Sequence, residues 1–230
     1  MKPINETEHL VPPNPLSQSA HHKIGMAPRW TALAGAALIG IIYALLPSNL
    51  RVIEPSWLLL VIEAVVLLPL IFIRRRLSHH TIRIVILILL GVITLALAAG
   101  VILLVLTITL KGSEQGKTLL RSAALLWFFN ILVFALWYFE IDGGGPYQRH
   151  LSNHQAADFM FPQQVDGNKT GWIPLFVDYV FLAFTGATAL SPADTFPLTR
   201  KAKALMMIEA ILSMAIIILL AARAVNILPQ

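Results

Sequence analysis

The chain has 230 residues, of which 57% are apolar or aromatic and 13% charged, with 17 Lys or Arg against 12 Asp or Glu for a formal charge of +5. At a mean hydropathy of +0.74 the apolar side chains outnumber what one water-facing domain of this length can bury, so lipid is expected to face the remainder. The lack of cysteine excludes disulfides, thiolate metal sites, cysteine nucleophiles and c-type haem attachment.

Residues 1–29, with the Pro-rich run Val11 to Pro15 and the pair His21-His22, show no apolar periodicity and read as a flexible tail. The first apolar stretch begins only at Trp30, too late for a secretory signal. Trp30 to Leu50 carries no charge, and its small residues Ala32, Gly35, Ala36 and Gly40 fall near one helical face suited to close packing. A second run, Trp57 to Ile73, is interrupted by Glu63 and ended by Arg74, Arg75 and Arg76. The third, Ile84 to Leu110, has 27 uncharged residues, more than the roughly 20 that cross about 30 Å of hydrocarbon. The fourth, Thr118 to Glu140, is aromatic-rich and ends in Trp137 and Tyr138, as an interfacial belt would.

Asp142 to Trp172 is the one long polar connection, opened by Gly143-Gly144-Gly145-Pro146, which cannot continue a helix. Ile173 to Leu190 is apolar but short, contains Asp178 and ends near Thr185-Gly186-Ala187-Thr188, a pattern suited to a re-entrant helix. Ala204 to Leu228 closes the chain, with Glu209 near its start and Arg223 near its end. The expected fold is an all-α integral membrane protein: the tail, a three-span region over 30–117, and a second membrane region over 118–230.

The order Asp178 to Thr185, then Ala187-Thr188-Ala189-Leu190-Ser191-Pro192-Ala193-Asp194, then Pro197-Leu198-Thr199, resembles a potassium-channel pore loop. The resemblance covers about 110 residues and implies an outer helix over Thr118 to Glu140 and an inner helix over Lys203 to Asn226. It departs at the filter, where Thr188-Ala189-Leu190-Ser191-Pro192 replaces the family's Thr-Val-Gly-Tyr-Gly. A filter that aims rings of carbonyls at an ion depends on glycine conformations that Leu190 and Pro192 do not share, so potassium selectivity does not carry over. The same stretch, with Ala157 to Gln163 before it and Arg223 to Leu228 after it, also looks like a group of uncharacterised bacterial multi-pass membrane proteins, some labelled channel-like. That resemblance implies a place in the bacterial cytoplasmic membrane.

Charge tests the topology. Omitting Lys2, five crossings with a cytoplasmic N-terminus and a re-entrant sixth segment put 11 Lys and Arg inside and 5 outside, whereas six crossings give 9 and 7. The positive-inside rule favours five. A channel-type pore needs the loop to dip from outside, which reverses the 11 to 5. Either one early segment does not cross, or the loop keeps an ancestral shape put to altered use, or the charge rule is overridden here.

Glu63, within the second run, is a proton- or cation-site candidate or a packed neutral carboxyl. Asp178, Asp194 and Glu209 would line one cation-attracting mouth, or else pair with Arg200, Lys201 and Lys203 as interfacial anchors. Thr185, Thr188 and Ser191 offer oxygens to an ion or satisfy backbone at a helix break. His150 and His154 have metal-ligand spacing only if helical and lack a third ligand, so no metal or cofactor is expected. Arg74, Arg75 and Arg76 fix orientation and touch anionic headgroups. Serine-hydrolase, P-loop, zinc-protease and dinucleotide motifs are missing, and the basic charge flanks the spans rather than forming a nucleic-acid face. The reading is a channel-like or transport-related, homo-oligomeric protein handling an inorganic cation. The alternatives are a non-conducting scaffold or sensor and, third, a membrane enzyme.

Overall fold

A computed structural model of the chain describes residues 30–73, 78–111, 116–188 and 194–227. Ser191 and Arg74, Arg75 and Arg76 lie outside the described residues, as does the N-terminal tail. The described residues are mostly helical: α1 (Trp30–Leu45), α2 (Leu58–Ile73), α3 (His79–Lys111), α4 (Gly116–Ile141), α5 (Pro146–Leu151), α6 (Phe176–Ala187) and α7 (Arg200–Ile227). Three of them, α3, α4 and α7, are long and apolar enough to cross a membrane.

α4 is the axis of the bundle. Its apolar window is 61% buried, against 39% for α3 and 17% for α7, so α4 is packed from several sides while α7 lies at the edge. Trp137 Nε1 on α4 donates to Thr94 Oγ1 on α3 at 2.8 Å, and the Tyr43 ring of α1 tilts against Phe129. Tyr43 also accepts the backbone N–H groups of Val52 and Ile53 through its hydroxyl, at 3.0 and 2.8 Å. One aromatic side chain thus ties the turn between α1 and α2 to the core.

The small-residue row of α1 does what its spacing predicts. A Cβ on Gly35 would meet the Phe176 ring at 2.7 Å, and one on Gly40 would meet the Leu60 Cα at 3.1 Å. Only glycine lets α6 and α2 approach α1 this closely. The helix itself is shorter than the apolar run: it stops at Leu45, and Ser48–Leu50 forms a 3₁₀ turn after Pro47, whose ring forbids continuation.

Local capping explains the other boundaries. Ser78 Oγ accepts the Thr81 N–H at 3.1 Å and caps α3, and Asp178 Oδ2 accepts the Leu175 N–H at 2.7 Å at the start of α6. α4 ends where Gly143, Gly144 and Gly145 take φ of 56°, 84° and 95°, a run open to glycine at little cost, and Pro146 then starts α5.

The chain of 142–199 makes an excursion and comes back. α6 starts beside the C-terminal end of α4, where Tyr179 reaches Asp142, and ends beside Ser213, whose hydroxyl donates to the Ala187 carbonyl at 2.5 Å. Phe196–Pro197 (β2) then pairs antiparallel with Phe159–Met160 (β1) of the long loop. Both limbs therefore return to one end of the bundle, here termed the loop end, where α3 and α7 begin and α4 stops.

Candidate functional site

Two buried polar clusters flank α6, one at each end. At the loop end Asp142, 1% exposed, gathers four parts of the chain. Its Oδ1 accepts the N–H groups of Asp158 and Phe159 at 3.0 and 3.1 Å, and its Oδ2 accepts the Tyr179 hydroxyl at 2.6 Å. Asp158 repeats the pattern, accepting the Gly143 N–H at 3.0 Å, the Thr199 hydroxyl at 2.6 Å and an ion pair from Lys201 at 2.9 Å. The two carboxylates lock α4, the loop, α6 and the start of α7 together.

Arg149, also 1% exposed, completes this cluster. Its Nη1 donates to the carbonyls of Phe139 and Asp142 at 2.6 and 2.8 Å, satisfying the end of α4 with a cation where the helix dipole is negative. Its guanidinium lies 4.9 Å from the Phe139 ring centre and 5.2 Å from that of Tyr179, within the range of cation–π attraction. Sequence reasoning missed Arg149 and Asp142 as a unit, because Tyr179, which Asp142 binds, is 37 residues away.

His154 sits under the same loop, fully buried, with neither ring nitrogen hydrogen-bonded to a described residue. Burial, with the positive charges of Arg149 and His150 adding to it, pushes its pKa down to about 4. The helix α5 ends at Leu151, so His150 and His154 do not share a helical face; their ring centres stand 5.9 Å apart. Among the described residues no group of three or more metal-ligating side chains forms.

The second cluster surrounds the far tip of α6. Glu209 is fully buried; Tyr138 donates its hydroxyl hydrogen bond to Oε2, and Oε1 has no hydrogen-bond partner among the described residues. Gly186 closes the other side, since a Cβ there would stand 2.9 Å from Glu209 Oε2. Asn130 Nδ2 donates to the Glu209 carbonyl at 3.4 Å, while its buried Oδ1 is unpartnered among the described residues. The cluster thus presents two unsatisfied oxygens beside the C-terminal end of a helix. That set suits a proton or a small cation and repels anions.

The sequence candidates distribute unevenly over these clusters. Glu209 occupies the tip, but Asp178 caps the opposite end of α6, eight residues before Gly186 or about 12 Å at 1.5 Å per residue. Asp194 is exposed, and Lys201 pairs with Asp158. The three expected carboxylates therefore do not share a mouth. Thr185 donates to the Leu182 carbonyl at 2.8 Å and Thr188 to that of Phe184 at 2.9 Å, so both hydroxyls satisfy their own helix. Glu63, 2% exposed, packs against Gly40 of α1 with both oxygens unpartnered among the described residues.

No known family model, curated protein or solved structure matches the chain.

Proposed function

We propose that the chain is a multi-pass protein of the bacterial cytoplasmic membrane, with α1, α2, α3, α4 and α7 crossing the bilayer and α6 entering and leaving from one side. Its function is channel-like or transport-related, and the tip of α6 against Glu209 is where a proton or monovalent cation binds. The observation that carries this reading is Glu209: a fully buried carboxyl with one oxygen unpartnered among the described residues, facing a helix C-terminus in the middle of an apolar bundle. A group of that kind in hydrocarbon is costly unless a proton or cation completes it.

The topology also has charge behind it. The loop end is where Arg83, Arg149, Lys169, Arg200, Lys201 and Lys203 lie along the chain, against Arg51, Lys111, Lys117, Arg121 and Arg223 at the other end. By the positive-inside rule the loop end faces the cytoplasm. The pore-loop likeness then stands as a shape approached from the cytoplasmic side, and a homo-oligomer built on α7 covers the apolar face of Met207, Ile211, Met214 and Ile218, each more than half exposed.

The test is flux through purified protein in liposomes, read with a pH-sensitive dye and with sodium or potassium gradients. Proton or cation flux that Glu209→Gln abolishes supports the reading. A second reading, a non-conducting scaffold or sensor, is favoured by the carbonyls of Phe184, Thr185 and Ala187, which are all occupied by Thr188 and Ser213. Silent liposomes with correctly folded protein would select it.

A further inference from the structure

A cavity of about 280 Å³ opens between α1, α2, α3 and α4 near the loop end. Its walls are mostly aliphatic, among them Leu33 and Ala36 from α1, Leu67 from α2, Ile86 and Leu90 from α3, and Leu136 from α4. A smaller cavity of about 130 Å³ adjoins it, sharing Ile82, Ile86 and Glu140. This second space is polar and basic at its outer rim, with His79, His80 and Arg83 from α3 and the turn Gly144 to Gln148 opposite. The two form one slot with an apolar interior and a cationic mouth.

We infer that this slot binds a single anionic phospholipid, with an acyl chain between α1 and α3 and the phosphate at Arg83. Resting on the membrane reading above, the assignment adds a ligand site that shares no lining residue with the Glu209 cluster. The chemistry of the two parts selects the occupant. Aliphatic walls offer nothing to a polar solute, and their volume matches the small end of ligand pockets, about 300 Å³. Arg83 Nε is buried without a hydrogen-bond partner among the described residues, and its Nη1 lies beside Gly144, where even an added Cβ would come no nearer than 4.0 Å. A guanidinium with spare donors at the end of an apolar slot is a phosphate partner. Glu140, at the junction of the two spaces, is itself partnered. It sets a limit on how deep the negative headgroup enters.

Position agrees with charge. The slot opens at the basic end of the bundle, and Trp30, 69% exposed, stands at its rim where an interfacial indole belongs. His79 stacks on Tyr147 with ring centres 3.7 Å apart, which holds the mouth of the slot against the loop.

Native mass spectrometry of the full chain, purified in detergent and offered equal phosphatidylglycerol and phosphatidylcholine, tests the assignment. One phosphatidylglycerol is retained in preference. Arg83→Gln lowers that preference roughly fivefold, the factor for one basic contact with an anionic surface, and Ile86→Trp or Leu33→Trp, filling the slot from opposite walls, removes the bound lipid. Inorganic phosphate in excess leaves the lipid in place. Equal retention of the two lipids, an unchanged preference in Arg83→Gln, or displacement by phosphate alone overturns the site. Release of the chain from membranes by alkaline carbonate would overturn the membrane reading instead, whereas a chain that stays membrane-bound yet shows no lipid preference loses only this inference.

Discussion

Tyr138 on α4 and Glu209 on α7 meet through a hydrogen bond from the phenol to Oε2, at the level where Gly186 ends the inward run of α6. This contact joins the central helix to the peripheral one and holds the only carboxyl that faces the tip of α6 among the described residues. Interhelical hydrogen bonds in membranes contribute modestly, about 0.6 kcal/mol on average and up to about 1.7. Tyr138→Phe is therefore expected to lower thermal stability in detergent by about 1 kcal/mol. Glu209→Gln, which keeps an acceptor for the phenol, is expected to cost less than Tyr138→Phe while abolishing flux. Stability and transport thus separate at one pair, and thermal unfolding beside liposome flux reads both.

Gly186 leaves no room for a side chain. The 2.9 Å approach to Glu209 Oε2 means that an alanine methyl displaces the carboxyl slightly, and valine displaces it from Tyr138 altogether. Gly186→Ala is expected to retain fold and reduced flux, and Gly186→Val to lose flux with a fall of about 1–3 kcal/mol in stability from overpacking. Equal behaviour of the two variants would show that the tip does not touch Glu209.

Asp142 is expected to be the costliest single loss at the loop end. Asp142→Ala leaves two buried N–H groups and the Tyr179 hydroxyl without their acceptor, and removes the carboxyl whose charge interacts with that of Arg149. Removing one member of such a buried charged set costs about 3–5 kcal/mol. Limited proteolysis reads this directly: the loop between Leu151 and Trp172 becomes cleavable in Asp142→Ala under conditions where the native chain resists.

The buried His154 makes the loop sensitive to acid. Its folded pKa of about 4 lies below the ordinary 6.5, so between those values the unfolded loop binds a proton that the folded loop does not. Stability contributed at this position is complete above about pH 6.5, declines as pH falls towards 4, and levels off below. His154→Leu is expected to flatten that part of the profile, measured as loop proteolysis against pH. A native profile already flat between pH 4 and 6.5 would contradict a buried neutral imidazole.

Much of the helix layout was legible because long apolar runs leave a plain mark on sequence. The run Trp57 to Ile73 became α2 at Leu58–Ile73, and Thr118 to Glu140 became α4 at Gly116–Ile141. Hydropathy fails where caps decide: α3 begins at His79 rather than Ile84 because Ser78 caps it, and α7 begins at Arg200, before its apolar run, because Thr199 stands at its head. The short helix was legible as a separate element from its length and Pro174, and Glu209 as a carboxyl set in an apolar run. The loop-end cluster was not. Asp142, Arg149, Asp158 and Tyr179 look like ordinary loop and helix residues in sequence, and only the return of 196–199 to the loop brings Thr199 and Lys201 onto Asp158. The supposed mouth of Asp178, Asp194 and Glu209 failed for the same reason in reverse, since nearness along the chain says little about which end of α6 a side chain serves.

The side of the membrane on which the loop lies decides the central claim, and the cysteine-free chain suits single-cysteine labelling. Cysteines at Ser78, Ser113, Ser152 and Leu198 would be treated in intact cells with a membrane-impermeant thiol reagent, then again after permeabilisation. The account predicts that Ser113→Cys alone labels in intact cells and that the Ser78, Ser152 and Leu198 variants label together only after permeabilisation. Labelling of Ser152→Cys and Leu198→Cys on opposite sides would make 173–199 a full crossing. Labelling of both from outside would restore a channel-type entrance and contradict the cytoplasmic loop.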